Sequence, residues 1–474
     1  MIRTSIAAAT ALLLAPLPVL AQSQADLDAR YDRALAAGYK AMFLCSAIAN
    51  AERNGAVRTP ESVMEWELTG IQAPLDEIVP ELAYRVVRQG QASDLDEAVN
   101  VSSADGYVRA SSMVQRVEVD WAEAMPPRIA VHEAGEGCNI LPIGASPPEQ
   151  AEATLTAQVA SSSTLPSGPS GAELDGVAER AFTPDYGADS RTTAILVMED
   201  GTVRQERYAE GFGPDVPQRT WSVAKSIAAT LVGAAVERGE ADVAASAGLG
   251  AGTGDPRAAI TVDHALRMAT GRYSDTPGNR TDPLYYGGTT VDERAANWPL
   301  LHAPGTYWRY ANNDTLMAVY AIEETFAEHS PAEFFAHAGM AHTVAETDWQ
   351  GNYVLSSQVW TTARDLARLG QLHLDDGLLP DGTRVLPEGW TDYVSAPSGP
   401  QPDGEWGYGA GWWIMSGFDG IPDDAFAARG NRGQYVVVIP SEDVVIVRRG
   451  EDPAGGSGFD IVAFTRDALA ALKD

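Results

Sequence analysis

The 474-residue chain is 45% hydrophobic with a net charge of −32, which supplies one large core or two without metal or disulfide staples. Its positive charge is almost all arginine, since the only lysines are Lys40, Lys225 and Lys473. That balance argues against nucleic acid or anionic membrane as a partner, because both need concentrated positive charge, and the acidity reads as a solubility trait.

In chain order, Arg3, an apolar stretch over residues 6–14 and Val19-Leu20-Ala21 form a secretory signal, so residues 1–21 are set apart from the fold. The stretch is short for a bilayer span and is followed by Pro16 and Pro18, and no later run of eighteen uncharged apolar residues appears. The expectation is a soluble exported protein, secreted or periplasmic, with no membrane insertion after cleavage. Residues 25–55 read as an alanine-rich helix stopped by Gly55. The stretches "EAVNVSS", "GYVRASSMV" and "RIAVHEA" read as strands, making residues 22–145 a small N-terminal α+β domain with no catalytic constellation. Cys45 and Cys138 lie in this part, outside any CxxC, and in an exported chain they are expected to form a disulfide.

Residues 146–172 are rich in Pro, Ser, Gly and Ala without an apolar period, and mark a linker before a second domain over residues 173–474. There "TTAILVMEDGTVRQERYAEG" reads as a hairpin turning at Asp200-Gly201. The next helix is apolar on nearly every side from Ile227 to Val236, as a central buried helix is, and Gly239 closes it. Residues 256–395 read as helices and loops. Sheet signals return only in "QYVVVIP" and "DVVIVRRG", and "FDIVAFTRDALAALKD" is a closing amphipathic helix. The order implies an α/β (α+β) domain: an antiparallel sheet built from both ends, with an all-helical insertion between them.

The first turn of the central helix carries Ser222-Val223-Ala224-Lys225. Residues three apart share a helix face, so the amine can reach the hydroxyl. The positive end of the helix dipole favours an alkoxide-like Ser222, and desolvation pushes Lys225 towards the neutral form that accepts a proton. A chain that uses arginine elsewhere places here the one cation that can lose its proton. The competing reading is a snorkelling lysine on a partly exposed helix. Farther on, Tyr310-Ala311-Asn312 offers a phenol for proton relay and an amide to orient a substrate carbonyl or the lysine.

From about Leu174 onward, "TWSVAKS", "DPRAAITVDHALRMATG", "PGTYWRYANND", "TARDLARLGQLHLDDG", "YGAGWW" and "ARGNRGQYVVVIP" resemble the serine β-lactamase and penicillin-binding-protein superfamily. The likeness is to the branch holding class C β-lactamases, related esterases and 6-aminohexanoate-dimer hydrolases. It implies a β-lactamase/transpeptidase-like fold, with Ser222 as the acylated nucleophile, Lys225 as its base or activator, Tyr310 as proton relay and Asn312 in contact with substrate. The family's Lys-Thr-Gly strand is replaced by Ala428-Arg429-Gly430, followed by Asn431-Arg432-Gly433-Gln434. Arg429 and Gly430 are then expected at the substrate, and the two arginines can hold a carboxylate. The family's oxyanion hole uses backbone N–H groups of the serine and of this strand.

The resulting expectation is an exported serine hydrolase cleaving an ester or non-β-lactam amide in a small-molecule or peptide-like acyl substrate. The alternatives are a β-lactamase or D-amino-acid peptidase, and a catalytically silent binding protein on the same fold. No metal or organic cofactor is implied, since side chains supply nucleophile and proton transfer. "HEAGE" at His132 lacks the last histidine of HExxH, and His337 and His342 lie off one helical face. No Gly-x-Ser-x-Gly elbow is present. Tyr285-Tyr286, Trp406 to Tyr408 and Trp412-Trp413 read chiefly as packing aromatics, with cleft lining as the alternative.

Overall fold

The computed structural model describes residues 23–88, 113–148, 164–252, 254–273 and 282–473. The signal segment, most of the linker, "EAVNVSS" and all but the last two residues of "GYVRASSMV" lie outside them.

The N-terminal helix runs over Gln24–Arg53, opened by a Ser23/Asp26 capping box and followed by Gly55 in a left-handed conformation. It is long and apolar enough to cross a membrane, yet its apolar 18-residue stretch lies wholly inside the protein. Beside it, β1 (Tyr84–Arg88), β2 (Val114–Val119), β3 (Arg128–Glu133) and β4 (Gly137–Ile140) form an antiparallel sheet in sequential order. Cys45 on the helix is bonded to Cys138 on β4, closing a loop with a sequence separation of 93.

The larger sheet joins the two ends of the second unit. Strands β5 (Thr192–Glu199) and β6 (Thr202–Tyr208) form the hairpin, with Asp200 and Gly201 both at positive φ. Next come β7 (Gln218–Arg219), β8 (Val344–Ala345), β9 (Val359–Thr361), β10 (Gly407–Tyr408), β11 (Trp413–Ile414), β12 (Phe426–Gly430), β13 (Gln434–Ile439) and β14 (Val444–Gly450). The order is β10-β11-β12-β13-β14-β5-β6, antiparallel throughout, so β14 closes against β5. Alternation assigns each face its own core. Ile195, Val197, Val437, Ile439 and Ile446 pack under the helices Ala172–Arg180 and Ile461–Leu472, whereas Leu196, Met198, Val436, Val438 and Val445 face the central helix Val223–Glu237 and the helix Ala363–Leu374.

One expectation needs correction. The insertion is not all helical: β8 and β9 pair with β7 in a three-stranded sheet, and strands of two or three residues are too short to show an alternation in sequence. The two units also share one continuous apolar core that contains Ala37, Phe43 and Val117 together with Trp221, Tyr286 and Trp360. Small residues on the N-terminal helix permit this. A Cβ on Gly38 would stand 1.9 Å from the Tyr286 carbonyl oxygen, so that backbone approach requires glycine. Buried Arg128 donates to the same carbonyl at 2.7 Å, and buried Glu346 accepts from Cys138 N at 3.0 Å.

Candidate active site

Ser222 is the N-cap of the central helix and makes no side-chain capping bond, so its hydroxyl is not committed to its own backbone. Trp221 before it has φ 50°, a left-handed conformation costing a bulky residue about 1–3 kcal/mol. Packing holds it there: the Arg219 guanidinium lies 4.0 Å from the Trp221 ring, and Phe43 of the N-terminal helix packs on Trp221 and on Trp360. Arg219 is fixed in turn by Tyr286 Oη at 2.7 Å and Ser357 Oγ at 2.8 Å.

Lys225 is buried, and burial lowers its pKa to about 7. Its Nζ donates to Asn312 Oδ1 at 2.5 Å and to the Ser356 carbonyl at 2.8 Å, and stands 3.3 Å from Ser222 Oγ. The number of hydrogens decides what this amine can do. A neutral amine has two, both taken by the two acceptors, which leaves its lone pair for the Ser222 proton. Asn312 begins the helix Asn312–Tyr320, whose first turn is anchored by Asp314 accepting from Thr270 at 2.8 Å and from Arg272 at 3.0 Å.

Tyr310 is hydrogen-bonded to Ser222, and its ring lies 5.1 Å from Lys225 Nζ. Burial raises its hydroxyl pKa, outweighing the opposing pull of the Ser222 bond, so it is a phenol and not a phenolate at neutral pH. Tyr285, on another helix, bonds through its hydroxyl to Ser356 Oγ at 2.8 Å and so holds the residue whose carbonyl faces Lys225.

On the facing strand β12, Gly430 closes on the serine: a Cβ there would stand 2.3 Å from Thr220 O and 3.2 Å from Ser222 N. Only glycine brings the strand backbone this near the Ser222 N–H, the approach an oxyanion hole needs. Arg429 spreads over Trp406 at 4.0 Å and Trp413 at 5.0 Å, in a cluster with Tyr310, Trp308 and Tyr408. Burial pulls its pKa below the usual arginine value while a bond to Tyr435 offsets part of that, and it stays a cation. Ser222, Tyr310, Arg429 and Gly430 are half-buried, whereas Lys225 and Asn312 are buried.

The structure thus brings together Ser222, Lys225, Tyr310, Asn312, Arg429 and Gly430. Asn312 reaches Lys225, the lysine-orienting role of the two considered for it. Arg432 does not join them: its side chain is buried against Glu451 at 2.6 Å and against carbonyls of the N-terminal unit. The left-handed turn at Arg432 and Gly433 sends it away from Arg429. Of the aromatics, Trp406, Tyr408 and Trp413 do border the site, whereas Trp412 is core, packed on His373 and Phe426. Sequence reasoning missed the Ser356 carbonyl and the left-handed Trp221. A backbone acceptor leaves no residue signature, and a positive φ at tryptophan has none.

His132 is buried, with Nδ1 3.1 Å from Val114 O, and burial lowers its pKa to about 4. Among the described residues no group of His, Cys, Asp or Glu forms a metal cluster.

A β-lactamase family model matches residues 179–449, more than half of the chain and the whole span from Ser222 to Gly430 that carries the candidate site. The chain belongs to the β-lactamase family. It is a serine hydrolase of that superfamily, and is similar to the 6-aminohexanoate-dimer hydrolase of Paenarthrobacter ureafaciens, with 26% identity over 299 residues, 54% of this chain and 72% of the relative. Among solved structures, it is similar to a putative 6-aminohexanoate-dimer hydrolase from Bacillus anthracis (TM-score 0.54, 23% identity, 65% of this chain and 87% of that one). A putative β-lactamase from Bacteroides dorei is similar too (TM-score 0.52, 18% identity, 64% and 99%). At these identities the two structures establish the fold, an antiparallel sheet flanked by helices.

Proposed function

We propose that this protein is an exported acyl-transfer hydrolase that forms an acyl-enzyme at Ser222 from an ester or a non-β-lactam amide. The observation that carries this is the Lys225 amine, whose two acceptors direct its lone pair at Ser222 Oγ. As the Ser222 oxygen bonds to the acyl carbon, its proton passes to Lys225. The carbonyl oxygen gathers charge beside the Ser222 N–H and the Gly430 backbone, where preorganised donors lower the barrier. Tyr310, kept protonated by burial, gives its proton to the leaving alkoxide or amine as the acyl bond breaks. Water then cleaves the ester by the same steps in reverse, and Ser222 recovers its proton.

Arg429 on its tryptophan platform supports a substrate bearing a carboxylate, since a partly desolvated guanidinium binds that group more strongly than a solvated one. The nearest counterpart of the family's Lys-Thr-Gly is Ala428-Arg429-Gly430, which lacks the lysine, and this favours non-β-lactam substrates. The start of the chain and the Cys45–Cys138 bond support export, because such bonds persist in oxidising compartments.

Intact-mass analysis after exposure to a panel of esters, amides and β-lactams tests the reading. An acyl adduct on Ser222 from esters or amides is expected, and Ser222→Ala should remove it together with at least about 10⁴-fold of the turnover. Full activity in Ser222→Ala would falsify the proposal. A stable penicillin adduct would point instead to a peptidase, rapid cephalosporin turnover to a lactamase, and a folded protein unlabelled by a fluorophosphonate to a silent binding protein.

A further inference from the structure

Besides the packing of Phe43 on Trp221, the N-terminal unit reaches the candidate active site through a buried guanidinium. Arg432 sits in the turn between β12 and β13, two residues beyond Gly430, with φ 57° and a side chain 1% exposed. Its Nε donates to Glu451 Oε2 at 2.6 Å, Nη1 to Gly70 O at 3.0 Å, and Nη2 to Trp66 O at 2.9 Å and Thr69 O at 2.8 Å. Three of these acceptors are carbonyls at the end of the short helix Pro60–Trp66 and just beyond it, more than 360 positions earlier in the chain. No point charge can satisfy that set; it needs a planar fork of donors.

The turn is tied onward as well. Gln434 Nε2 donates to Arg432 O at 3.3 Å, and Gln434 Oε1 accepts from Arg449 Nε at 2.6 Å. Arg449 Nη2 donates to Gln218 O at 2.8 Å and Arg219 O at 3.1 Å, on the strand that leads into Ser222. The turn therefore fixes both sides of the Gly430–Ser222 contact: β12 directly, and the approach to the serine through Gln434 and Arg449. If the turn relaxed, Gly430 would move relative to Ser222 N, a contact set by tenths of an ångström.

We infer that the segment from Trp66 to Gly70 is a built-in buttress of the catalytic centre, acting through Arg432 as a positioning residue that sets where Gly430 meets the Ser222 N–H. Arg432 touches no substrate in this arrangement. The inference rests on the proposed acyl-enzyme function and gives the N-terminal unit a task within it.

The test is phosphonylation of Ser222 by a fluorophosphonate in the full-length protein: Ser222 Oγ bonds to phosphorus and fluoride leaves, with loss of the hydroxyl proton. The rate is separated into a binding constant and a maximal labelling rate. Arg432→Gln is expected to slow the maximal rate about tenfold to a hundredfold, with the binding constant held within about twofold. Arg432→Lys, which keeps the charge facing Glu451 without the fork, should fall between it and the wild type. Lys40→Met, which loosens the N-terminal unit away from the turn, should lower Tm and leave both constants unchanged. A folded Arg432→Gln or Arg432→Lys protein that labels at the wild-type rate overturns the inference. So does a Lys40→Met protein slowed as much as Arg432→Gln, because general loosening would then suffice. If Arg432→Gln does not fold, the labelling rate of Arg432→Lys decides by the same criterion. Absence of labelling in the wild type, or labelling elsewhere in Ser222→Ala, is a failure of the acyl-enzyme reading itself and is seen before any Arg432 variant is compared.

Discussion

Two of the three lysines are buried in nearly the same way, and only one has a serine beside it. Lys40 on the N-terminal helix donates to Val79 O at 3.0 Å and Leu82 O at 2.7 Å and faces the Tyr84 ring at 4.9 Å; burial lowers its pKa to about 8. Lys225 donates to Asn312 Oδ1 and Ser356 O, faces the Tyr310 ring at 5.1 Å, and is lowered to about 7. Desolvation, two acceptors and an aromatic face are thus enough to hold a lysine without giving it chemistry. The third neighbour makes the difference: Ser222 Oγ at 3.3 Å, at a helix N-terminus and open to solvent on one side.

The comparison can be broken most severely at Lys225. Lys225→Arg, which keeps a cation but no dissociable proton, is expected to lose about 10³-fold in turnover, roughly 4 kcal/mol of barrier, with KM little changed. Near-normal turnover would remove the base from the mechanism. In the wild type the active form is the neutral amine, so turnover should fall as pH drops through about 7 and Lys225 takes up a proton, and should hold above it. A rate profile flat from pH 5 to 9 contradicts this.

Next in size is Lys40→Met, which strands two carbonyl acceptors and should cost about 1–3 kcal/mol of stability, read by denaturant unfolding, with turnover unaffected. A loss of rate would mean that Lys40 is more than structural. The smallest effect sharpens the contrast. Ala37 lies three residues before Lys40 and is fully buried, so Ala37→Ser writes the same four-residue spacing into the N-terminal helix. No fluorophosphonate adduct is expected there, because a mid-helix hydroxyl has neither an approach path nor backbone donors for an oxyanion.

That contrast also explains what could be read from residues alone. Ser222 and Lys225 were legible because a three-residue spacing on a helix fixes which side chains meet. The hairpin at Asp200-Gly201 was legible from turn chemistry, and β13 and β14 from their apolar runs. Tyr310 and Asn312 became legible only through the family order, since nothing local ties them to a serine almost ninety positions earlier. Ser356 was not legible, because it contributes a carbonyl that any residue would supply. Arg429 and Arg432 look equivalent in "ARGNRG", and only the left-handed turn between the strands separates a residue at the candidate site from one locked into the N-terminal unit. The shared core was hidden for a related reason: an alanine-rich helix buried on every side has no polar face to betray its partners.

The depth at which the N-terminal helix is buried has a consequence for how the chain is made. Synthesis delivers that helix first, but Tyr286 and Trp360, which pack around it, emerge hundreds of residues later, and Arg432 bonds to a carbonyl 366 positions behind it. Contacts of such separation pay their loop-closure entropy before they return any stability, so they close late. The β1–β4 sheet can cover one side of the apolar helix early, but the side that meets Tyr286 and Trp360 must wait until most of the polypeptide exists.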